Sequence, residues 1–355
     1  MPWENSGETH IWIFNVGRGN AAFVRTGLNH GFIIDMACSD EFSPAEFIKD
    51  TFSKKLTKYK DFRIAQAVLS HPHRDHIQEC EYLKNGKPLP PKLLTCPHDK
   101  QEGEEVDWDR ITDDREGSAE MLQTYRDLFK GRTPPLQTIQ YESNRRLAST
   151  LEYGLYYLRP PVCDELHKED DNEYGNATSI MLYLRHGVNT ILFPGDMTPE
   201  GMERILDDGE GVEKRFTIFE PRFIGDHPDW HEKTSDQPGL GTLLDEHGLS
   251  ILVAPHHGLE SCFSQTLYDN MKDGQPQLVV ISEKRHMRPQ DGEIHDDYRG
   301  DKGAIGLNVW RDDKRERLHS LSTANSHHIL IVFNGTSVPK VYAEGDPNDL
   351  LDIVD

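Results

Sequence analysis

Short apolar segments rich in β-branched and aromatic residues recur along the whole chain, separated by turns that contain glycine and asparagine. We predict a meander of strands over 11–35 and further strands over 63–70, 151–160, 179–187, 189–196, 250–258, 277–283 and 327–335. Amphipathic spacing between these segments predicts helices over 199–207, 264–273 and 302–310. Strands interrupted by helices indicate an α/β protein in which sheet and helix layers share one core.

The segment VLSHPHRDHIQE, residues 68–79, places a histidine and aspartate cluster where a predicted strand gives way to a helix. The cluster consists of His71, His73, Asp75 and His76. The His-x-His spacing puts two imidazoles on the same side of an extended segment, where both can bind one ion. Imidazole and carboxylate ligands together suit zinc, manganese or iron better than calcium, which prefers oxygen ligands.

Two later strands also end in side chains of a type that binds metals. ILFPGDMT places Asp196 after a glycine, and ILVAPHHG ends with His256 and His257. Taken singly, such an aspartate is more often a helix cap, and such a histidine is more often a hydrogen-bonded structural residue. Taken together with the first cluster, they favour a two-metal site.

The charge of the chain limits the partners it can have. Among 355 residues, 61 are acidic and 39 are basic, which gives a net charge of −22. A chain this acidic repels a polyanion unless a local patch or bound cations reverse the field, which argues against a protein that coats duplex DNA. An enzyme that contacts only a few phosphates remains compatible with this charge.

Five scattered cysteines without a C-x-x-C pair predict reduced thiols rather than a disulfide framework. The first residues, MPWENSGETHIWIFNVG, have neither the basic nor the apolar region of a signal peptide. No apolar run approaches the length of a membrane span. We therefore expect a cytoplasmic protein with no membrane partner.

The motif HPHRDH, with Asp35 in FIIDMA, Asp196 in LFPGDM and His256 in APHHG, resembles the metal-binding motifs of the metallo-β-lactamase superfamily. More narrowly, FNVGRGNAAFV, NATSIMLYLRHGVNTILFPGD and PHHGLESCFS resemble the nuclease-like domain of ComEC-type DNA-uptake proteins. The resemblance covers residues 10 to 335, interrupted by acidic segments. It implies the metallo-β-lactamase fold, a four-layer αββα sandwich with a two-metal site at one sheet edge.

The resemblance also implies a role for each motif residue. Six residues would bind the two divalent cations: His71 and His73 the first, Asp75, His76 and His256 the second, and Asp196 both. Asp35 would orient the metal loop from behind, and Asn176 would also stand behind the ligands. His257 is either a proton donor, in which case it joins Asp75 and Asp196 as a catalytic residue, or a structural residue behind the ligands.

One position departs from the superfamily pattern, which usually has a third histidine on the first metal ahead of the bridging aspartate. This chain reads EYGNATS there, with Asn176 and no histidine. The first site would then be weaker, be completed by water, or borrow His98 or His257. Zinc is the expected metal, and the scarcity of nitrogen ligands makes the first site more tolerant of manganese or magnesium.

The expected reaction is hydrolysis by a metal-bridging hydroxide, without a covalent nucleophile. A phosphodiester in DNA, RNA or a nucleotide is the expected substrate, because the resemblance is to a nuclease-like branch. Ser261 and the basic residues Lys284, Arg285 and Arg288 would contact it, with Arg299 and Lys302 as further candidates, although each of these charges could equally be ordinary solvated surface. Two alternatives remain: a thioester or lactone hydrolase of the same fold, and a metal-binding partner subunit of a multi-protein system such as phage defence.

We expect residues 1–355 to form a single metallo-β-lactamase-like domain. Three segments interrupt the strand pattern and are expected to be solvated surface insertions: 97–147, 163–176 and 207–248. An acidic tail is expected over 343–355. The acidic segments could instead cover the active site or dock another protein.

Overall fold

The computed structural model describes residues 7–26, 30–54, 63–97, 106–111, 118–129, 151–219, 237–283, 293–312, 314–325 and 327–354. Within these ranges the strands are β1 (Thr9–Ile13), β2 (Ala22–Arg25), β3 (His30–Ile34), β4 (Arg63–Val68), β5 (Leu93–Thr95), β6 (Leu151–Leu158), β7 (Met181–His186), β8 (Asn189–Phe193), β9 (Val212–Phe219), β10 (Ile251–Val253), β11 (Leu278–Ile281), β12 (Leu307–Arg311), β13 (Lys314–Leu318), β14 (Ser320–Ser322), β15 (His328–Phe333) and β16 (Lys340–Glu344).

The α-helices in the described part of the chain are α1 (Pro44–Ile48), α2 (Arg74–Ile77), α3 (Ser118–Phe129), α4 (Pro160–Leu166), α5 (Asp171–Ala177), α6 (Pro199–Leu206), α7 (Leu240–His247), α8 (Gln265–Asp269) and α9 (Pro347–Val354). A π-helix spans Lys49–Lys54, and short 3₁₀ helices span Cys80–Leu83, Pro255–Gly258, Glu260–Cys262, Asp296–Tyr298, Gly300–Lys302 and Thr323–Asn325. Hydrogen bonds to capping side chains fix the residues at which several of these helices begin. The Thr198 hydroxyl, for example, accepts the N–H of Gly201 at the start of α6.

The strands form two mixed sheets. The first has the order β13-β12-β16-β15-β1-β2-β3-β4-β5, and the second has the order β14-β11-β10-β8-β7-β6-β9. In the first sheet β3, β4 and β5 run parallel, and in the second β8, β10, β11 and β14 run parallel. Parallel neighbours bring their carboxyl ends to one edge, which is where the candidate site lies.

The two sheets pack against each other, and helices cover their outer faces. Phe32 of β3 and Tyr153 of β6 meet across the sheets with ring centroids 5.1 Å apart. Alternation along a strand separates the two cores: Ile11 and Ile13 of β1 lie between the sheets, whereas Trp12 lies on the outer face with Phe52. On the outer face of the second sheet, side chains of α6, α7 and α8 pack in one cluster with β7 and β8. The protein is therefore a mixed α/β sandwich.

Most predicted strands are present, and two of the predicted helices, over 199–207 and 264–273, correspond to α6 and α8. The helix predicted over 302–310 is wrong, because this segment continues into β12, where Leu307 and Val309 are buried between the sheets. Buried residues alternate there with half-buried ones at a period of two, which is the spacing of a strand and not of a helix.

Two acidic segments are more structured than the sequence suggested. Within 163–176, α4 and α5 bury Cys163, Tyr174 and Asn176. After Tyr342, α9 buries Leu350 and Leu351 against the outer core of the first sheet. The described part of the segment 207–248 contains β9, which pairs with β6 in the second sheet, and α7. Most of the segment 97–147 lies outside the described residues. In the part of the chain that the structure describes, no helix has both the length and the apolar character needed to cross a membrane.

Candidate metal centre

Four strands of the two sheets deliver side chains to one edge of the sandwich. His71 follows β4 and Asp35 follows β3, and these strands are parallel neighbours in the first sheet. Asp196 follows β8 and His256 follows β10, which are parallel neighbours in the second sheet. Residues more than 100 positions apart therefore meet because the carboxyl ends of these strands share an edge.

The carboxylate of Asp196 lies at the centre of the cluster. Its Oδ1 is 3.2 Å from Nε2 of His76, and its Oδ2 is 3.7 Å from Nε2 of His71. The ligand atoms of these three buried residues all lie within 4.8 Å of one another. The same Oδ2 is 3.6 Å from Nε2 of His256 and 3.9 Å from Nε2 of His257.

Two further predicted ligands border this group. Nε2 of His257 lies 3.7 Å from Oδ2 of Asp75. The ring of His73 packs edge-on against that of His71, with centroids 4.6 Å apart. The other five predicted metal ligands and His257 thus lie in one cluster with Asp196.

Asp35 holds the histidines from behind. Its Oδ2 accepts hydrogen bonds from Nδ1 of His76 at 2.8 Å, from the Ser70 hydroxyl at 2.9 Å and from the Asn20 amide at 3.1 Å. Its Oδ1 accepts the N–H of Ser70 at 2.6 Å. Asp35 is 1% exposed, so these bonds form in a site without water screening.

This network fixes which ring nitrogens face the cluster. Nδ1 of His76 donates to Asp35, which leaves the Nε2 lone pair for a cation. The one proton of the Ser70 hydroxyl goes to Asp35, so its oxygen, 3.1 Å from Nδ1 of His71, accepts the proton of that nitrogen. Nε2 of His71 is then unprotonated and directed at Asp196.

The surrounding imidazoles keep the carboxylates ionised in spite of their burial. Burial alone would raise the pKa of Asp196, but His76 and the other three surrounding imidazoles lower it well below its usual range. The pKa of Asp75 is likewise lowered well below its usual range, against the effect of burial, by His257 and His76. Burial lowers the pKa of His71 well below its usual value and that of His256 to about 4, so both are neutral at pH 7.

The pKa of His76 shifts in the opposite direction to those of His71 and His256. Burial would lower its pKa, but the carboxylates of Asp196 and Asp35 raise it well above its usual value. Between two carboxylates, His76 therefore carries a proton in the absence of another cation. A metal ion at Nε2 would take the place of that proton, since metal binding by histidine releases protons.

Three imidazole nitrogens of the cluster have unmet bonding capacity. Nε2 of His71, His76 and His257 are each buried without a hydrogen-bond partner in the described part of the chain, since the 3.2 Å approach of His76 to Asp196 lacks hydrogen-bond geometry. Buried polar atoms are normally paired, so such a convergent set is suited to holding a cation. Nitrogen and carboxylate donors at these distances fit a transition-metal ion.

The backbone is held in uncommon conformations at the same place. Asp35, His256 and His257 have positive φ angles of 55°, 46° and 58°, a region that costs non-glycine residues about 1 kcal/mol or more each. At Gly195, with φ 61°, a Cβ atom would lie 2.9 Å from Cβ of Ser70. Strain of this kind is characteristic of functional sites.

A glycine loop supports the other side of the cluster. The N–H of Asn20 donates to the carbonyl of Asp75 at 3.0 Å, and a Cβ on Gly19 would lie 2.8 Å from that same oxygen. Ser282 donates its hydroxyl to the carbonyl of Gly19 at 2.5 Å. The GRGN segment therefore packs directly against the loop that carries Asp75.

The residues predicted to contact substrate differ in where the structure places them. Ser261 is exposed, and its hydroxyl lies 3.7 Å from Sγ of Cys262. Arg299 pairs with Glu283 at 3.0 Å, and Lys302 is 80% exposed near Asp297. The remaining candidates lie outside the described residues: His98, Lys284, Arg285 and Arg288. Asn176, predicted to stand behind the ligands, is fully buried and follows Gly175, whose backbone lies against His73.

Sequence reasoning missed four residues that position the ligands. Ser70 and Asn20 bond to Asp35, Ser179 accepts the N–H of Asp196 at 3.1 Å, and Sγ of Cys262 lies 3.0 Å from Nδ1 of His256. The sequence offers one signal for Ser70, which is that a small hydroxyl residue directly precedes His71. Nothing in the sequence signals the other three, because their contacts are made between distant segments.

Comparison with known proteins supplies no family. The sequence matches no protein-family model, and no curated protein matches it.

Proposed function

We propose that this protein is a metal-dependent hydrolase that holds two divalent cations around Asp196. The observation that carries the proposal is the convergence of buried, unpaired Nε2 atoms from His71, His76 and His257 on one carboxylate. The sandwich of two mixed sheets with the cluster at the strand ends is compatible with the metallo-β-lactamase fold, to which we assign the chain as part of this proposal.

We assign His71 and His73 to the first cation, with Asp196 shared between the two. Asp75 and His76 serve the second cation. His257 joins this second set, because its Nε2 is 3.7 Å from Asp75 and its side chain is 3% exposed. This assignment exchanges the roles that the sequence suggested for the two adjacent histidines.

His256 then lies at the open side of the site. Its side chain is 14% exposed, and its Nδ1 contacts the sulfur of Cys262. Because burial lowers its pKa to about 4, it is neutral at pH 7 and suits hydrogen bonding to a substrate oxygen rather than proton donation.

A bound divalent cation would lower the pKa of a coordinated water and neutralise charge on the electrophile. The chain's own contribution is to hold the ligand atoms still. Asp35 and Ser70 fix the tautomers of His71 and His76, and removal of such supporting bonds typically costs about 10- to 100-fold in metal affinity.

We propose a phosphodiester as the substrate. Asp196 at the shared position makes the site rich in oxygen donors, and the guanidinium of Arg18, on the glycine loop, is near enough to His256 to contribute to lowering its pKa. A cation there can contact a phosphate. The net charge of −22 disfavours long duplexes, so a single-stranded oligonucleotide or a nucleotide is the expected form.

A substrate panel tests this function. With Zn²⁺ or Mn²⁺ supplied, the protein should hydrolyse bis-p-nitrophenyl phosphate or single-stranded DNA or RNA, and Asp196→Asn should reduce the rate at least 1000-fold. Asp245→Asn, an exposed change of the same chemistry on α7, should keep wild-type activity. Hydrolysis of thioesters or lactones without phosphodiesterase activity would contradict the proposed substrate. Metal binding without any hydrolysis would favour a partner subunit.

A further inference from the structure

Cys262 lies directly beside one histidine of the cluster. Its side chain is buried, and its Sγ lies 3.0 Å from Nδ1 of His256. At the other end of the same ring, Nε2 lies 3.6 Å from Oδ2 of Asp196. The two ring nitrogens of His256 therefore face different groups, a thiol and a carboxylate, and in the neutral ring only one nitrogen carries a proton.

Hydrogen bonds hold the thiol in this position. The N–H of Cys262 donates to the carbonyl of Leu259 at 3.0 Å, and the N–H of Leu259 donates to the carbonyl of His256 at 3.1 Å. The buried hydroxyl of Tyr298 donates to the carbonyl of Cys262 at 3.2 Å. The histidine and the cysteine thus lie on one short turn that is fixed by its own backbone and by a neighbouring segment, so the fold maintains their contact.

Both neighbours of the His256 ring favour a proton on Nε2. A buried thiol keeps its proton at pH 7, and sulfur is only a weak acceptor, so the contact with Nδ1 is strongest when the thiol donates to it. The Ser261 hydroxyl is a more distant neighbour of the sulfur, at 3.7 Å. At Nε2, an N–H is attracted to the Asp196 carboxylate, whereas a lone pair would be repelled by it. The two ends of the ring thus select the same tautomer.

We infer that Cys262 is a positioning residue that holds His256 with a proton on Nε2, and that this N–H donates a hydrogen bond to a phosphoryl oxygen of the substrate. The inference rests on the proposed function. The side chain of His256 is 14% exposed, whereas those of the other three imidazoles around Asp196 are buried. A fixed N–H directed at an oxygen that gains negative charge stabilises the transition state, and loss of one such donor typically lowers turnover about 100- to 1000-fold.

The consequence is that His256 does not bind a cation. A ligand nitrogen must be unprotonated, but Nδ1 of His256 accepts the thiol proton and Nε2 carries its own. The second cation then takes its imidazoles from His76 and His257. The adjacent residues His256 and His257 therefore have different chemical roles, because the fold gives their rings different partners.

Nuclear magnetic resonance of protein labelled with ¹⁵N at histidine tests the tautomer. Nitrogen chemical shifts distinguish a protonated ring nitrogen from an unprotonated one, and His256→Gln identifies the signals of His256 by their loss. In wild type at pH 7, Nε2 of His256 should carry the proton both without metal and with Zn²⁺ bound. In Zn²⁺-loaded Cys262→Ala, where the cation offsets the charge of Asp196, the two tautomers should be mixed. Cys262→Ser, which keeps a donor, should retain the Nε2 proton.

Metal binding and kinetics separate positioning from a structural role. His256→Gln and Cys262→Ala should each bind two divalent cations with wild-type affinity by calorimetry. Against bis-p-nitrophenyl phosphate, Cys262→Ala should lower kcat about 10- to 100-fold, as loss of a supporting bond does, with KM nearly unchanged. Cys262→Ser should recover most of this loss. Cys163→Ala, the same change at a buried thiol that bonds to backbone carbonyls, should keep the wild-type kcat and tautomer.

Different results would overturn the inference and the proposed function. If His256→Gln binds one cation fewer than wild type, or if Nε2 of His256 loses its proton when Zn²⁺ binds, His256 is a metal ligand, and the inference is overturned while the proposed function stands. A wild-type kcat in Cys262→Ala would have the same consequence. A wild-type protein that neither binds a divalent cation nor hydrolyses a phosphodiester would instead overturn the proposed function.

Discussion

Replacing Asp35 by asparagine tests whether the carboxylate behind the cluster supports the site. Asparagine tolerates the positive φ of 55° at this position nearly as well as aspartate, so the backbone should be little affected. The change removes the charge and replaces one acceptor oxygen by an NH₂ group. Four donors now point at this carboxylate, and they come from three residues: Ser70, His76 and Asn20.

The magnitude follows from these four bonds. In the better of the two amide orientations, the oxygen occupies the Oδ2 position and keeps three donors, while the N–H of Ser70 faces an NH₂ group. An unpaired buried donor costs about 1–3 kcal/mol, and three charge-assisted bonds that become neutral lose about 0.5–1 kcal/mol each. We expect the free energy of unfolding to fall by about 3–5 kcal/mol in total.

Urea unfolding provides the assay, with the slope of the transition checked for constancy. Asp312→Asn is the matched control, because Asp312 has a φ of 49° and is exposed. The free energy of unfolding of Asp312→Asn should differ from that of wild type by less than about 0.5 kcal/mol. Metal affinity of Asp35→Asn should also fall, by about 10- to 100-fold. If Asp35→Asn costs no more stability than Asp312→Asn, the argument that this network holds the histidines is refuted.

Two further predictions concern glycine geometry and pH. Gly195→Ala should destabilise the protein by about 2–4 kcal/mol and disrupt metal binding, because the new Cβ would lie 2.9 Å from Ser70, whereas Gly274→Ala, with φ 68° and open space around it, should cost only about 1 kcal/mol. Equal urea midpoints for the two variants would contradict this. Burial lowers the pKa values of His186 and His328 to about 4, so the unfolded chain takes up protons first as the pH falls. The stability that these two neutral histidines provide is present above pH 6.5 and is lost between pH 6.5 and 4, by about 3 kcal/mol for each. Urea midpoints measured across this range should show the loss. His328→Phe, which keeps the packing against Phe42, should reduce it, and an unchanged pH slope in that variant would count against the assignment.

The sequence by itself determined which side chains form the candidate cluster and that the fold is of the α/β class. His71, His73, Asp75 and His76 are neighbours in one short segment, so the sequence alone places them near one another. Asp196 and His256 could be associated with them because each follows a buried strand, and strand ends are where parallel sheets gather functional side chains. The alternation of apolar residues likewise predicted most strands, since its period is local.

The tertiary structure decided which atoms face one another. Asp35 accepts bonds from Asn20, Ser70 and His76 only because β3 and β4 are parallel neighbours, and His257 faces Asp75 only because two left-handed residues turn the chain after β10. Asn176 looked like solvated surface in an acidic segment, yet α5 buries it completely. Pairings between residues so far apart depend on how sheets and helices pack, and no local pattern of charge or hydrophobicity encodes them.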